Sequence, residues 1–208
     1  MQTNPLPTLC ETISLDLVSR ASVTGTADEQ TFGPWLADYL NGLGCFGQNP
    51  EIWTFPVASG DARLVVALLV RGSGAQTVVL TGHYDTVSIH DYGHLRALAC
   101  QPYALKDALL QRLSGSTEPA EMLAYADLQS GAFLPGRGLL DMKAGLAAGL
   151  DAMAQIAADQ DFSGNLLFLA VPDEENASAG ARAAAACLAK LAESKSLSIM
   201  AAINLDAI

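Results

Sequence analysis

Histidine is the scarcest chemistry-bearing residue in this chain of 208: only His83, His90 and His94 occur. Cysteine is nearly as scarce. Cys10, Cys45, Cys100 and Cys187 lie far apart and form no CxxC pair, so they read as reduced thiols in a cytosolic protein. Positive charge is also short, with 11 Lys and Arg against 22 Asp and Glu and a formal net charge of −11. Such a surface repels phosphate backbones, which excludes nucleic acid as a partner. No block of like charge and no acidic tail occurs. The longest apolar stretch, residues 64–70, is too short to cross a bilayer. The N-terminal stretch lacks a basic region followed by an apolar run, so no signal peptide is expected. The expectation is a soluble, cytoplasmic protein without membrane contact.

What is present points to an ordinary core. Half of the residues are hydrophobic, and the length suits one good core rather than two full domains. Thr8 and Glu11 have capping-box spacing ahead of Leu9, Ile13 and Leu17, which predicts a first helix. Phe32, Trp35, Leu36, Tyr39 and Leu40 form an apolar core stripe over a second helix, residues 28–43, with Gly42 and Gly44 as its stop signal. Apolar runs at residues 52–55, 64–70 and 77–81 read as strands, and the turn-rich joint 71–76 predicts a hairpin between the last two. That joint is not a phosphate cradle, because no Lys-Ser/Thr follows and no helix opens. Residues 88–135 carry no strand pattern; a helix is expected over 103–113 and a loop over 114–119. Beyond them a helix (142–158), a buried strand (165–171), an Ala-rich helix (178–193) and a second buried strand (199–205) alternate. Alternation implies right-handed crossovers and a sheet covered on both faces, an α/β fold without internal repeats.

Polar residues gather where the strands end. The run 77–81 leads into Gly82-His83-Tyr84-Asp85, the run 165–171 into Pro172-Asp173-Glu174-Glu175, and the run 199–205 into Asp206. Ligands of open α/β sheets bind outside the carboxyl ends of the strands, so three such ends together are a convergent signal. Two residues apart in extended backbone, His83 and Asp85 share a face, and a metal-bound imidazole needs its second ring nitrogen held. Taken alone, His83 reads equally as a hydrogen-bonded strand-end histidine. Glu174 and Glu175 would repel each other in a crevice, and a divalent cation relieves that repulsion. Alone, they read as a solvated acidic turn entering a helix. Asp141, within Gly136-Arg137-Gly138-Leu139-Leu140-Asp141, reads alone as a helix N-cap, and its GxGxxD spacing is not a dinucleotide fingerprint. His90-Asp91-Tyr92-Gly93-His94 imitates a zinc helix. However, Asp91 stands where Glu is needed and Gly93 disfavours a helix, so a solvent-facing loop or substrate-side contact is expected.

Gly82-His83-Tyr84-Asp85-Thr86-Val87, Gly138-Leu139-Leu140-Asp141-Met142-Lys143-Ala144-Gly145 and Pro172-Asp173-Glu174-Glu175 resemble, in order, three signature segments of the M20 metallopeptidases. The resemblance runs from the leading helices to Asp206, and the long segment between Asp85 and Asp141 is similar to RocB-type arginine-utilisation proteins. It implies a three-layer sandwich with a mixed, mostly parallel sheet. It also implies that His83 binds a first metal, steered by Asp85, and that Asp206 completes that ion's protein ligands. Asp141 would bridge two metals, with a cis peptide to Met142, and Glu175 would bind the second. Two zinc ions are implied per complete site, with cobalt or manganese as alternatives. Glu174 would be the general base, taking a proton from a metal-activated water and returning it to the leaving amine. The implied substrate is a small amino-acid derivative or short peptide. The alternative is a non-catalytic scaffold that binds a metabolite or partner, although such a module has no need of a spare base at Glu174.

M20 enzymes draw a further metal-ligating histidine from late in their sequence, and no histidine follows His94 here. Residues 1–208 are therefore expected to be the N-terminal part of an M20-like catalytic domain. The lid or dimerisation domain, with any homodimer contacts, would lie elsewhere, together with the C-terminal catalytic part. The 208-residue chain is expected to bind one metal well and a second weakly, to turn over slowly or not at all, and to associate through an unpaired strand edge. Metal analysis beside a hydrolysis assay checks this: two tightly bound ions with robust turnover contradict it.

Overall fold

Every residue of the strand Asn165–Val171 is buried, and the rest of the chain is layered on it. A computed structural model describes residues 7–47 and 49–207. Residues 1–6, part of the stretch read above for a leader, lie outside the described residues. Five strands, β1 (Glu51–Pro56), β2 (Leu64–Arg71), β3 (Gln76–His83), β4 (Asn165–Val171) and β5 (Ser198–Asn204), form one sheet in the order β1-β2-β4-β3-β5. β3, β4 and β5 run parallel, and β2 is antiparallel to both β1 and β4.

The period-2 pleat divides the central strand between two cores. Leu166, Phe168 and Ala170 join one apolar cluster with Val66 and Leu68, while Leu167, Leu169 and Val171 join a second with Val65, Ala67 and Leu69. α1 (Leu9–Ser19), α2 (Ala27–Leu43) and α5 (Ala144–Ala157) supply the first cluster, with Ile13, Phe32, Leu36, Leu146 and Leu150 fully buried. α6 (Ala179–Lys195) covers the other face through Ala184, Leu188 and Leu191. The result is a helix–sheet–helix sandwich with a mixed, mostly parallel sheet, as expected. The helix ends follow their signals: Thr8 Oγ1 accepts the Glu11 N–H at 3.1 Å, and Gly44 caps α2 at φ 64°.

Two local expectations need correction, and one helix is additional to those expected. β2 and β3 do not form a hairpin, because β4 lies between them and pairs with both. The joint 71–76 is locally turn-like, but burying β4 on both faces decides the pairing. β5 is an edge strand and is mostly exposed, Met200 at 61% and Ile203 at 50%, rather than buried. The segment after Ser88 holds short 3-10 turns over His90–Leu98 and, besides the expected helix α3 (Pro102–Leu113), a further helix, α4 (Pro119–Ser130), whose main packing partner is α3.

Two glycines set the approach of the site-bearing segments. A Cβ on Gly82 would run into the end of the Met142 side chain, and one on Gly145 into the Leu205 carbonyl next to Asp206. Among the described residues no helix is long and apolar enough to cross a membrane, and all four cysteines are free. The layering predicts that Leu68→Ala lowers unfolding free energy by about 2–5 kcal/mol. Met200→Ala on exposed β5 should stay within about 0.5 kcal/mol. Urea denaturation of the two variants beside the parent checks the contrast.

Candidate metal centre

Because β3 and β4 are parallel and pair His83 with Val171, their carboxyl ends finish level. β5 joins β3 in the same direction, and the residues beyond all three strands meet at one edge. His83, the last residue of β3, is 2% exposed. Its Nδ1 lies 2.9 Å from the Asp85 main-chain carbonyl oxygen and 3.5 Å from Asp85 Oδ1. A carbonyl can only accept, so Nδ1 carries the hydrogen and Nε2 of the neutral ring presents a lone pair. Nε2 lies 2.9 Å from Asp141 Oδ1, 3.8 Å from Asp206 Oδ2 and 3.9 Å from Glu174 Oε2. It is nevertheless buried without a hydrogen-bond partner among the described residues. One ligand atom each from His83, Asp141 and Asp206 lies within 4.8 Å of the other two. A buried imidazole facing two carboxylates, its Nε2 able to take a cation in place of a proton, has the chemistry of a divalent-cation site, so these residues fit the metal that the sequence implies.

The surrounding charges shift in step. Burial alone would push the His83 pKa down, but the Asp85 contacts and the Asp141 charge outweigh it and raise it to about 9. Glu175 moves up, first through burial and then through the Asp141 charge. Asp85 is fully buried, which by itself raises a carboxyl. Its interactions with His83, the Glu174 N–H and Thr24 more than offset this and hold it below the ordinary aspartate range. Asp85 Oδ1 accepts the Glu174 N–H at 3.1 Å, and Oδ2 accepts the Glu175 N–H at 3.2 Å and the Thr24 hydroxyl at 2.8 Å.

The acidic turn after β4 is built by Asp173. Its backbone is left-handed, φ 68°, and its buried carboxylate accepts Arg63 Nη1 at 2.6 Å and the Ala179 N–H at 3.1 Å. Glu174 and Glu175 are thereby turned outward. Glu174 lies against the cluster with its side chain 45% exposed, while Glu175 stays outside the three-residue group and walls a cavity of about 500 Å³ with Thr24, Thr86, Ser88 and Asn176. Asp141 is joined to Met142 by a cis peptide bond, and its side chain is 62% exposed. Lys143 is buried, and that burial pushes its amino group down to about 7 against the pull of Cys100 and Asp85.

His90 and His94 are exposed in the 3-10 turns, where Gly93 leaves helical geometry, and neither joins the cluster. Sequence reasoning missed Thr24, Arg63, Asp173 and Lys143, whose roles come from contacts distant in sequence. Asp173 and Lys143 do lie inside the quoted motifs.

Asp85 generates a pH prediction. Its folded-state pKa is depressed, so the unfolded chain takes up the proton first. The stability it contributes is complete above the unfolded value and is lost as pH falls through the folded one. Unfolding free energies at about pH 7, 5 and 3 should fall more steeply for the parent than for Asp85→Asn, the two converging in acid. Parallel curves would contradict the assignment.

Residues 117–207 match the family described as Peptidase family M20/M25/M40. Over 190 residues the chain is 32% identical to "Uncharacterized protein YqjN" of Bacillus subtilis strain 168, covering 91% of this chain and 34% of that protein. It is 30% identical over 201 residues to "Protein RocB" of the same organism, covering 94% of this chain and 34% of that one. The chain thus spans about a third of the length of these curated relatives. A solved M20 family metallo-carboxypeptidase, Sso-CP2 from Sulfolobus solfataricus, superposes with a TM-score of 0.58 at 14% identity, over 97% of this chain and 38% of that one. At that identity the likeness speaks for the fold alone. Residues 117–207 thus match Peptidase family M20/M25/M40, and over nine-tenths of its length the chain is similar in sequence to YqjN and RocB and in fold to the solved metallo-carboxypeptidase.

Proposed function

We propose that this chain is the front portion of a metal-dependent hydrolase that cleaves amide or peptide bonds in a small amino-acid derivative or short peptide. The observation that carries the reading is the buried, unpartnered Nε2 of His83 facing Asp141 and Asp206. His83, Asp141 and Asp206 would hold one cation, and Asp141 with Glu175 would be this chain's ligands to a second. Zinc suits this donor set, and when bound a divalent ion supplies Lewis acidity toward a carbonyl oxygen and a water.

The chain's own residues do the rest. Asp85 fixes the imidazole by its main-chain carbonyl and orients the turn that carries both glutamates. The Glu174 carboxylate makes no side-chain hydrogen bond among the described residues and lies 3.9 Å from His83 Nε2, so it is free to accept a proton and pass it to a leaving amine. Glu175 is shifted upward by its burial and then by the Asp141 charge, and a cation would relieve the second of these. The cavity beside Glu175 offers room for part of a substrate. The RocB-type resemblance makes arginine-related or acylated amino acids the first compounds to assay.

Zinc affinity of the purified chain, beside Asp141→Ala and Glu174→Ala, tests the roles. Asp141→Ala is expected to weaken zinc binding by at least about 10-fold. Glu174→Ala should bind zinc as the parent does, and should abolish any hydrolysis the parent shows. Zinc binding indifferent to Asp141 overturns the reading.

A further inference from the structure

His83 and Asp206 are placed by strand ends, but Asp141 is not. It sits in the irregular turn Leu139–Lys143, where neither Asp141 nor Met142 has helical backbone angles. Its exposed carboxylate needs an anchor, and both following residues are buried: Met142 at 0% and Lys143 at 1%. Met142 reaches β3, its Sδ accepting the His83 N–H at 3.1 Å. Lys143 reaches in another direction. Its main-chain N–H donates to the Gly138 carbonyl at 2.8 Å, and its Nζ donates to the Arg20 carbonyl at 2.8 Å and lies 4.5 Å from the Phe32 ring centroid.

Arg20 begins a strap, residues 20–24, that grips the strand end carrying His83. The Ser22 hydroxyl donates to the Tyr84 carbonyl at 2.6 Å, and the Thr86 N–H donates to the Ser22 carbonyl at 3.0 Å. The Thr24 hydroxyl holds Asp85 at 2.8 Å. Phe32 stacks on Tyr84, between His83 and Asp85, with centroids 4.9 Å apart. A methionine would fill the space of the Lys143 stem without the cost of burying an amino group. The lysine adds one thing, a donor that ties the Asp141 turn to this strap.

We propose, building on the metal-centre reading above, that Lys143 is a positioning residue: its bond to the Arg20 carbonyl sets Asp141 at coordinating distance from His83. The proposal predicts a sign. Removing the Lys143 amino group should by electrostatics alone leave cation binding unchanged or tighter, whereas loss of positioning should weaken it.

Cobalt(II) titration, followed through the visible d–d bands, compares the parent with Lys143→Met and Lys143→Arg. In parallel, hydrogen exchange of the metal-free proteins is read over residues 139–143 against β4. Lys143→Met is expected to weaken cobalt binding about 10- to 100-fold and to alter the bands. Its turn should exchange several-fold faster with β4 unchanged, and Lys143→Arg should recover part of each change. Equal or tighter cobalt binding with unchanged exchange in the turn overturns the proposal. So does loss of far-UV circular dichroism in both variants, which would assign Lys143 to the core. If the parent itself binds no cobalt, the metal-centre reading fails, and the exchange comparison alone decides whether Lys143 positions the turn.

Discussion

A carboxylate sealed from water persists only where donors surround it, and Asp85 draws its donors from separate parts of the chain. Thr24 comes from the strap ahead of α2, and the Glu174 and Glu175 amides come from the turn after β4. The main-chain carbonyl of the same residue holds His83 Nδ1. One buried residue therefore fixes which imidazole nitrogen faces outward, how the two glutamates are presented, and how β3 meets β4. Leaving such a charge without its partners costs several kcal/mol, so the strand ends keep their relative placement.

The electrostatics follow from that placement. Asp85, Asp141, Glu174, Glu175 and Asp206 converge at one edge of a chain whose net charge is already −11. Arg63 is engaged by Asp61 and Asp173, and Lys143 is buried against a carbonyl and a ring, so neither neutralises the mouth of the site. The same negative field raises His83 against its burial and adds to the burial that raises Glu175, so each holds a proton more tightly. A divalent cation satisfies the same field without protons, which is why the geometry and the charge pattern lead to the same chemistry.

The elements most legible in the sequence are those set by local pattern. Apolar runs and turn residues locate all five strands, and the position of His83, Asp141, Glu174, Glu175 and Asp206 at element ends is visible before any fold is known. Pairing is less legible. The 71–76 joint reads as a hairpin because the two runs are neighbours in sequence, while the most deeply buried strand, β4, arrives almost a hundred residues later and takes the place between them. α4 escapes notice because it packs mainly on α3 and offers only Leu128 to a buried surface. β5 reads as buried from its apolar content, yet its second edge pairs with no strand among the described residues. The supporting side chains Thr24, Arg63 and Lys143 are invisible in sequence, since each acts through a partner that only the tertiary fold brings near.

The central claim is that His83, Asp141 and Asp206 form one cation site at the ends of parallel strands. X-ray absorption at the zinc edge of the zinc-loaded chain tests it most directly. The account predicts a first shell of nitrogen and oxygen at about 2.0–2.2 Å with the outer-shell scattering of a single imidazole. Sulfur at about 2.3 Å, or a shell without imidazole, would place the metal elsewhere and contradict the site.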